Sequence, residues 1–108
     1  MKSVGENTLY GLDQDVLKHI LTVFESFTEI EKVVLYGSRA KGNYRPGSDI
    51  DLTFKGKVTL QILNAVANKL DDLLLPYQFD LSIHSKIDSD SLLEHIERVG
   101  IVIYPKKP

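Results

Sequence analysis

Apolar residues recur along three segments of the chain with the spacing of amphipathic helices. Residues 12–27 place them every three or four positions, and Asp13 suits the positive N-terminal end of such a helix. The same spacing predicts a second helix over residues 59–74, which Thr59 can cap before Pro76 ends it. A third helix is predicted from the polar cluster at residue 88 to the closing glycine at residue 100.

Between these helices lie four short segments that are typical of strands. Val33–Tyr36 is a β-branched run that a glycine ends, which indicates a buried strand. Asp49–Phe54 and Phe79–His84 alternate between polar and apolar residues, so each predicts a strand with one wet and one dry face. Ile101–Tyr104 predicts a short final strand. Strands interleaved with helices predict an α/β or α+β fold, and periodicity leaves open whether its sheet is parallel or mixed.

Composition narrows the class of protein. With 108 residues the chain is expected to be one domain, 1–108, whose polar segment 1–11 is expected to be flexible. Thirteen basic residues against fifteen acidic ones argue against direct DNA or RNA binding through phosphates. The absence of cysteine excludes disulfides and zinc–thiolate sites. No apolar stretch reaches signal or transmembrane length, so a cytoplasmic protein without membrane association is expected.

Three aspartates fall on the wet faces of predicted strands. Alternation puts Asp49 and Asp51 on the same side of one strand, and Asp80 on the polar side of another. If the two strands are neighbours, three carboxylates meet on one surface. Magnesium suits such a cluster, because it takes oxygen ligands and keeps positions open for water and phosphates. The simpler interpretation of each aspartate is a solvated strand face.

A glycine-rich turn follows the first predicted strand. Gly37 and Ser38 open a tight turn whose backbone N–H groups could bind phosphate oxygens. Arg39, Lys41 and Arg45 could balance a triphosphate, although surface ion pairs are the alternative for each of them. The turn is not a P-loop, since the Gly-Lys-Ser/Thr ending of that motif is absent.

The histidines and Tyr44 are weaker candidates for a functional site than the aspartates and the glycine-rich turn. The three histidines do not form a metal-binding set: His19 and His95 are expected at surface or boundary positions of helices. His84 follows Asp80 on the same strand face, which predicts at most a position on the rim of the site. Tyr44 could stack on a base, but a tyrosine in a loop needs no such role.

The glycines and aspartates together resemble a known signature. Gly37, Ser38, Ala40, Gly42 and the run 48–52 are similar to the signature of the nucleotidyltransferase superfamily that includes DNA polymerase beta. The small size resembles its minimal members, the MNT proteins encoded beside HEPN-domain partners in toxin–antitoxin pairs. Lys41 departs from the signature, because arginine is usual there and lysine lacks its two-pronged geometry.

The resemblance implies a minimal polymerase-beta-like fold, with a mixed sheet of about four strands and helices packed on it. It also implies a magnesium-dependent transfer of AMP from ATP to a protein hydroxyl of a HEPN-type partner. Two metal ions would be held by the candidate catalytic residues Asp49, Asp51 and Asp80. Nucleotide binding would fall to the residues of the turn and its following loop: Gly37, Ser38, Arg39, Lys41, Gly42 and Ser48.

Two other functions stay open at this point. The chain could be a nucleotide-binding antitoxin that acts by covering its HEPN partner, with little catalysis. A stand-alone transferase for a small molecule such as an aminoglycoside is less favoured, because the chain has no room for an acceptor domain. The intact trio of aspartates favours the protein-modifying enzyme. A domain of this size is also expected to associate, as a homodimer or a hetero-oligomer.

Overall fold

All the predicted helices and strands are present, with shifted boundaries. The computed structural model of the chain describes residues 8–105. A short 3-10 helix spans His84–Lys86. The other elements, in chain order, are β1 (Thr8–Leu9), β2 (Leu12–Asp13), α1 (Gln14–Glu25), β3 (Ile30–Tyr36), α2 (Gly37–Lys41), β4 (Ile50–Gly56), α3 (Leu60–Asp71), β5 (Phe79–Ile83), α4 (Asp90–Val99) and β6 (Ile101–Tyr104).

Four of the strands form one mixed sheet in the order β5-β4-β3-β6. The central strand β3 runs antiparallel to both of its neighbours, β4 and β6. In contrast, β4 and β5 are parallel, and the chain connects them through α3. The prediction of an α+β fold with a mixed four-stranded sheet is therefore confirmed.

One face of the sheet carries the main hydrophobic core, under α1 and α3. Phe24 of α1 is fully buried, and its ring meets the ring of Phe54 edge-on with centroids 5.4 Å apart. Leu35 and Leu52 pair across β3 and β4 on the same face, and Val66 of α3 packs into the same cluster. Removal of this apolar surface from water is the main force that holds the layers together.

The opposite face of the sheet is only partly covered. Ile96 of α4 packs there on Val34 and Tyr36 of β3, which form a second, smaller core cluster. Asp51 of β4 is half-buried on this face, and Asp80 of β5 is exposed. The polar positions of β4 and β5 therefore face an open surface beside α4.

Side-chain caps fix the starts of α1 and α3. Asp13 accepts a hydrogen bond from the Asp15 N–H at 2.8 Å. In the same way, Thr59 Oγ1 accepts from the Ile62 N–H at 3.2 Å, which caps α3. Each cap satisfies a backbone donor that the first helical turn leaves unpaired.

Several predicted boundaries need correction, among them the following. The first helix begins at Gln14, because Leu12 is taken up by a β1–β2 hairpin in which it pairs with Leu9. The second helix ends at Asp71, before Leu74, whose left-handed φ of 56° does not fit a helix. The strand predicted from Asp49 begins one residue later.

The N-terminal segment 1–11 is described only in part. Residues 1–7 lie outside the described residues, so the prediction for them stays a prediction. Residues 8 and 9, within the same segment, pair with residues 13 and 12 in the hairpin. Between residues 8 and 105, none of the helices combines the length and the apolar character that crossing a membrane requires.

Candidate active site

A row of three side chains crosses the open face of the sheet. Asp80 of β5 is register-paired with Asp51 of β4, and Asp51 is in turn paired with Tyr36 of β3. Directly paired residues on neighbouring strands project to the same face. The parallel pairing of β4 and β5 is therefore what brings together two aspartates that are 29 positions apart in the sequence.

The third aspartate lies at the start of the same row. Asp49 is exposed and immediately precedes β4, one residue outside the strand in which it was expected. Burial raises the pKa of Asp51, and the charges of Asp80 and Asp49 raise it further, against the lowering effect of Arg39. The charges of the three carboxylates therefore act on one another, and their role as a catalytic cluster stays a prediction.

The donor set suits a hard divalent cation. It consists of carboxylate oxygens, the ligands that magnesium prefers, and it carries negative charge that a cation would relieve. Within residues 8–105, no group of three or more potential ligands is already arranged around a common metal position. The chemistry of the residues fits the predicted metal, and the number of ions stays a prediction.

Gly37 lies against the carboxylate of Asp51. Its φ of +75° is in the left-handed region, and a Cβ at this position would overlap Asp51 Oδ2. Any other residue would strain the turn and push the carboxylate away. Glycine is therefore required at this position because it lets the turn and the aspartate approach each other.

The Gly37 N–H is bound by a residue that the sequence did not single out for the site. It donates a hydrogen bond to His95 Nε2 of α4 at 3.1 Å. The His95 ring also meets the Tyr36 ring edge-on, with centroids 6.1 Å apart. In the sequence, only the helical spacing of His95 from Leu92 and Val99 could have indicated that it faces the sheet. That signal is weak. His95 is half-buried, which fits the boundary position expected for it, and it is also a residue of the candidate site.

Tyr36 is the third member of the row formed with Asp51 and Asp80, and it is the buried one. Burial raises the pKa of its hydroxyl, and the charges of Asp80 and Asp51 act in the same direction. The phenol therefore stays protonated across the physiological pH range and presents a neutral O–H beside two carboxylates. From the sequence, Tyr36 was predicted only to end a strand, and no role in the site was predicted for it.

Lys41 and Gly42 lie at the end of α2, and their predicted contacts with a nucleotide stay predictions. Gly42 ends α2 with a left-handed φ of 90°, and its N–H donates to the Ser38 carbonyl at 2.9 Å. A Cβ at Gly42 would meet no atom of the described residues within 4 Å, apart from its chain neighbours, so the requirement for glycine comes from the backbone alone. Lys41 is exposed at the end of the helix.

Arg39 lies where a contact with a nucleotide is difficult. Its side chain is 2% exposed, and its guanidinium donates hydrogen bonds to the carbonyl oxygens of Tyr10 and Ser48. The prediction that Arg39 balances a triphosphate at the surface is not supported by this position. Sequence reasoning missed the burial because arginine in a glycine-rich loop is ordinarily exposed.

Ser48, another predicted nucleotide ligand, is engaged in the structure of the loop. Its hydroxyl accepts a hydrogen bond from the Arg45 N–H at 2.8 Å, and its own N–H donates to the Arg45 carbonyl at 2.9 Å. These two bonds close the turn that contains Pro46 and Gly47. Ser48 therefore shapes the approach of the chain to Asp49.

The other two histidines lie apart from the carboxylate row. His19 is on α1, where its Nδ1 lies 2.8 Å from the carbonyl oxygen of Asp15. His84 begins the 3-10 helix and lines a separate cavity of about 440 Å³ with Lys55 and Glu97. Burial lowers the pKa of His84, and the charge of Lys55 lowers it further.

Comparisons with known proteins concern the sequence family and the fold. The sequence matches the family model described as polymerase beta, nucleotidyltransferase, over residues 18–108. Among curated proteins no match is found. The fold is similar to that of a chain in a crystal structure of a toxin–antitoxin with AMP-PNP (TM-score 0.65, 19% identity, 89% of this chain and 76% of that chain).

Two further solved structures share the fold. One is a mutant of the toxin–antitoxin MntA–HpeT (TM-score 0.63, 16% identity, 89% of this chain and 75% of that chain). The other is a complex of the tri-AMPylated Shewanella oneidensis HEPN toxin with MNT antitoxin (TM-score 0.62, 18% identity, 86% of this chain and 72% of that chain). Because the sequence identities are this low, these similarities show a shared fold and nothing about activity or partners.

Proposed function

The chain belongs to the polymerase beta nucleotidyltransferase family, and we propose that it transfers AMP from ATP to a hydroxyl group of a protein partner. The observation that carries the proposal is the register pairing of Asp51 with Asp80 beside the Gly37 turn. It brings a carboxylate cluster within reach of a turn of the kind that binds phosphates.

The metal is assigned to the three aspartates. Asp49, Asp51 and Asp80 would hold magnesium through carboxylate oxygens. When bound, the ion would supply positive charge to the phosphates and lower the pKa of the acceptor hydroxyl. This role explains why a small domain keeps mutually repelling carboxylates on one face.

Phosphate binding and proton transfer are assigned to other groups of the protein. The Ser38 N–H and hydroxyl are assigned to the phosphates, because the Gly37 N–H is already bonded to His95. The exposed Lys41 is the nearby cation on α2. The acceptor oxygen attacks the α-phosphorus, the bond to pyrophosphate breaks, and the proton passes to Asp80, whose side chain is exposed to an incoming acceptor.

The partner is assigned by analogy of fold. One similar structure holds an MNT antitoxin with a tri-AMPylated HEPN toxin, and another toxin–antitoxin structure contains AMP-PNP. We therefore propose a HEPN-domain protein as the acceptor and ATP as the donor. Under this proposal the chain neutralises its partner by covalent modification.

The test is transfer of label from α-³²P-ATP to a HEPN-domain protein, taken from the neighbouring reading frame where that frame encodes one. We expect labelling with magnesium, none with EDTA, and a loss of at least about 100-fold with Asp51→Asn, because an amide is a poor magnesium ligand. Asp72→Asn is the matched control, since Asp72 is an exposed aspartate at the C-cap of α3. Its labelling should equal that of the wild type.

A second measurement separates the enzyme from a binding module. Partner binding by Asp51→Asn is measured by calorimetry, and neutralisation is measured as growth of cells that express the partner. A variant that binds the partner but does not protect the cells supports catalysis. A variant that protects as well as the wild type would mean that covering the partner is sufficient.

A further inference from the structure

Arg39 is the only charged residue that is buried within residues 8–105. It forms no salt bridge with a described residue. Its charge is stabilised by hydrogen bonds to neutral groups and by the longer-range attraction of Asp51. Burial of a charge is unfavourable unless its hydrogen bonds are satisfied. The groups that accept hydrogen bonds from the Arg39 guanidinium therefore indicate its structural role.

The guanidinium bridges two segments that are far apart in the sequence. Nε and Nη2 both donate to the Ser48 carbonyl, at 3.2 and 2.9 Å. Nη1 donates to the Tyr10 carbonyl of the β1–β2 hairpin at 2.9 Å. Because Ser48 directly precedes Asp49, the first of these contacts fixes the backbone from which that candidate ligand projects.

Two aromatic rings hold the same group. The guanidinium carbon lies 5.5 Å from the centroid of Tyr44, in the loop before Asp49, and 5.1 Å from the centroid of Tyr77. Tyr77 lies three residues before Asp80. Arginine stacks on aromatic rings through its planar face while its edge donates hydrogen bonds, so both sets of contacts can form together.

Gly11 shows how closely this group is packed. Its φ is +78°, and a Cβ added to it would lie 2.7 Å from Arg39 Nη1 and would also overlap the Tyr44 ring. The hairpin thus closes over the guanidinium with no room for a side chain. Arg39 is enclosed on the hairpin side and cannot turn toward a nucleotide there.

We propose that Arg39 is a positioning residue, which holds the segments that carry Asp49 and Asp80 in register with the Gly37 turn and does not bind the nucleotide. The inference rests on the proposed nucleotidyltransferase function. Arg39 belongs to α2, directly after the turn, and it contacts the residue before Asp49 and the segment that leads into β5. One side chain therefore connects the predicted phosphate turn to two of the three candidate metal ligands.

The test replaces the guanidinium and keeps its charge. Lysine has no fork, so Arg39→Lys cannot donate to the carbonyls of Tyr10 and Ser48 with the same geometry. We expect the affinity for Mn²⁺ in the absence of nucleotide, measured by electron paramagnetic resonance, to fall by about tenfold or more although no ligand is changed. ATP affinity at saturating metal should change by less than about threefold, because no phosphate contact is lost.

Two controls separate positioning from general stability. Arg98→Lys makes the same substitution at an exposed position of α4, and it should leave Mn²⁺ affinity unchanged. Val23→Ala removes buried apolar atoms of α1, away from the site, and should lower the melting temperature without changing Mn²⁺ affinity. If Arg39→Lys is too unstable to measure, Tyr77→Leu removes one stacking ring and should still weaken Mn²⁺ binding.

Two results would overturn the inference. Unchanged Mn²⁺ affinity in a folded Arg39→Lys protein would mean that the residue only stabilises the fold. A loss of ATP affinity of at least about tenfold, with Mn²⁺ affinity unchanged, would identify a phosphate ligand instead. The metal measurement needs no acceptor protein, so it decides the role of Arg39 even if the HEPN partner is never labelled.

Discussion

Asp51 and Asp80 occupy paired positions on the parallel strands β4 and β5, and the charge of Asp80 adds to burial in raising the pKa of Asp51. The pair is therefore an unfavourable feature of the metal-free fold that a bound cation would turn into a favourable one. This relationship makes the effect of pH and of metal on stability predictable.

The first prediction concerns the pH dependence of the metal-free protein. Because the pKa of Asp51 in the folded state is raised above its ordinary value of 3.8, the folded protein binds this proton more tightly than the unfolded protein. The stability from this group is complete below that value and is lost as pH rises through the raised pKa. Asp51→Asn should therefore be more stable than the wild type near about pH 7, by no more than about 1 kcal/mol.

Urea denaturation in EDTA measures this effect. The advantage of Asp51→Asn should shrink as the pH falls from neutrality through the raised pKa of Asp51. It should be gone below pH 3.8, where the wild-type carboxyl is protonated in both states. Added magnesium should stabilise the wild type but not the variant. A less stable Asp51→Asn at neutral pH would show that the carboxylate makes a favourable contact in the metal-free fold.

A second prediction separates the two reasons for glycine at position 37. Gly37→Ala should lose more than about 2 kcal/mol of stability, because it adds an overlap with Asp51 to the penalty of about 1–2 kcal/mol for a left-handed alanine. Magnesium-dependent ATP binding should be lost with it. Chemical denaturation and calorimetry measure the two effects.

Two other glycines serve as comparisons. Gly42→Ala carries the left-handed penalty without any overlap, so it should lose only about 1–2 kcal/mol. Gly47→Ala meets no atom within 4 Å, and it should stay within about 0.5 kcal/mol of the wild type. Equal losses for Gly37→Ala and Gly42→Ala would mean that Asp51 moves aside at no cost.

A third prediction concerns the bond between His95 and Gly37. His95→Phe keeps a ring beside Tyr36 but leaves the Gly37 N–H without its acceptor, which should lower stability by about 1 kcal/mol. The Gly37 amide should then exchange with deuterium at least about tenfold faster, as measured by NMR. His19→Phe, on the exposed side of α1, should leave that amide unchanged; an equal rate in His95→Phe would show that α4 does not hold the turn.

The fourth prediction uses a strained leucine outside the site. Leu74 is 89% exposed and has a left-handed φ of 56°, so Leu74→Gly should stabilise the protein by up to about 1 kcal/mol. Leu60→Gly is the comparison, because Leu60 is also an exposed leucine but lies in the first turn of α3, and it should gain nothing. Thermal denaturation of both variants distinguishes relief of strain from loss of an exposed apolar side chain.

The sequence by itself determined the elements and the chemistry of the signature. The alternating polar and apolar positions of β4 and β5 predicted their wet and dry faces, and the cap at Thr59 predicted the start of α3. These features depend on backbone geometry within a few residues, so the local sequence is sufficient to predict them. The shared face of Asp51 and Asp80 followed only on the assumption that their strands are neighbours.

Tertiary structure alone decided the register of that pair and the surroundings of the turn. Gly37 and His95 are 58 positions apart, and their hydrogen bond exists because α4 crosses β3 on the open face of the sheet. Arg39 became a buried residue because a hairpin and two tyrosines close over it, which neither its charge nor its spacing indicates. Contacts of this kind depend on how whole elements pack, and periodicity along the chain carries no information about that packing.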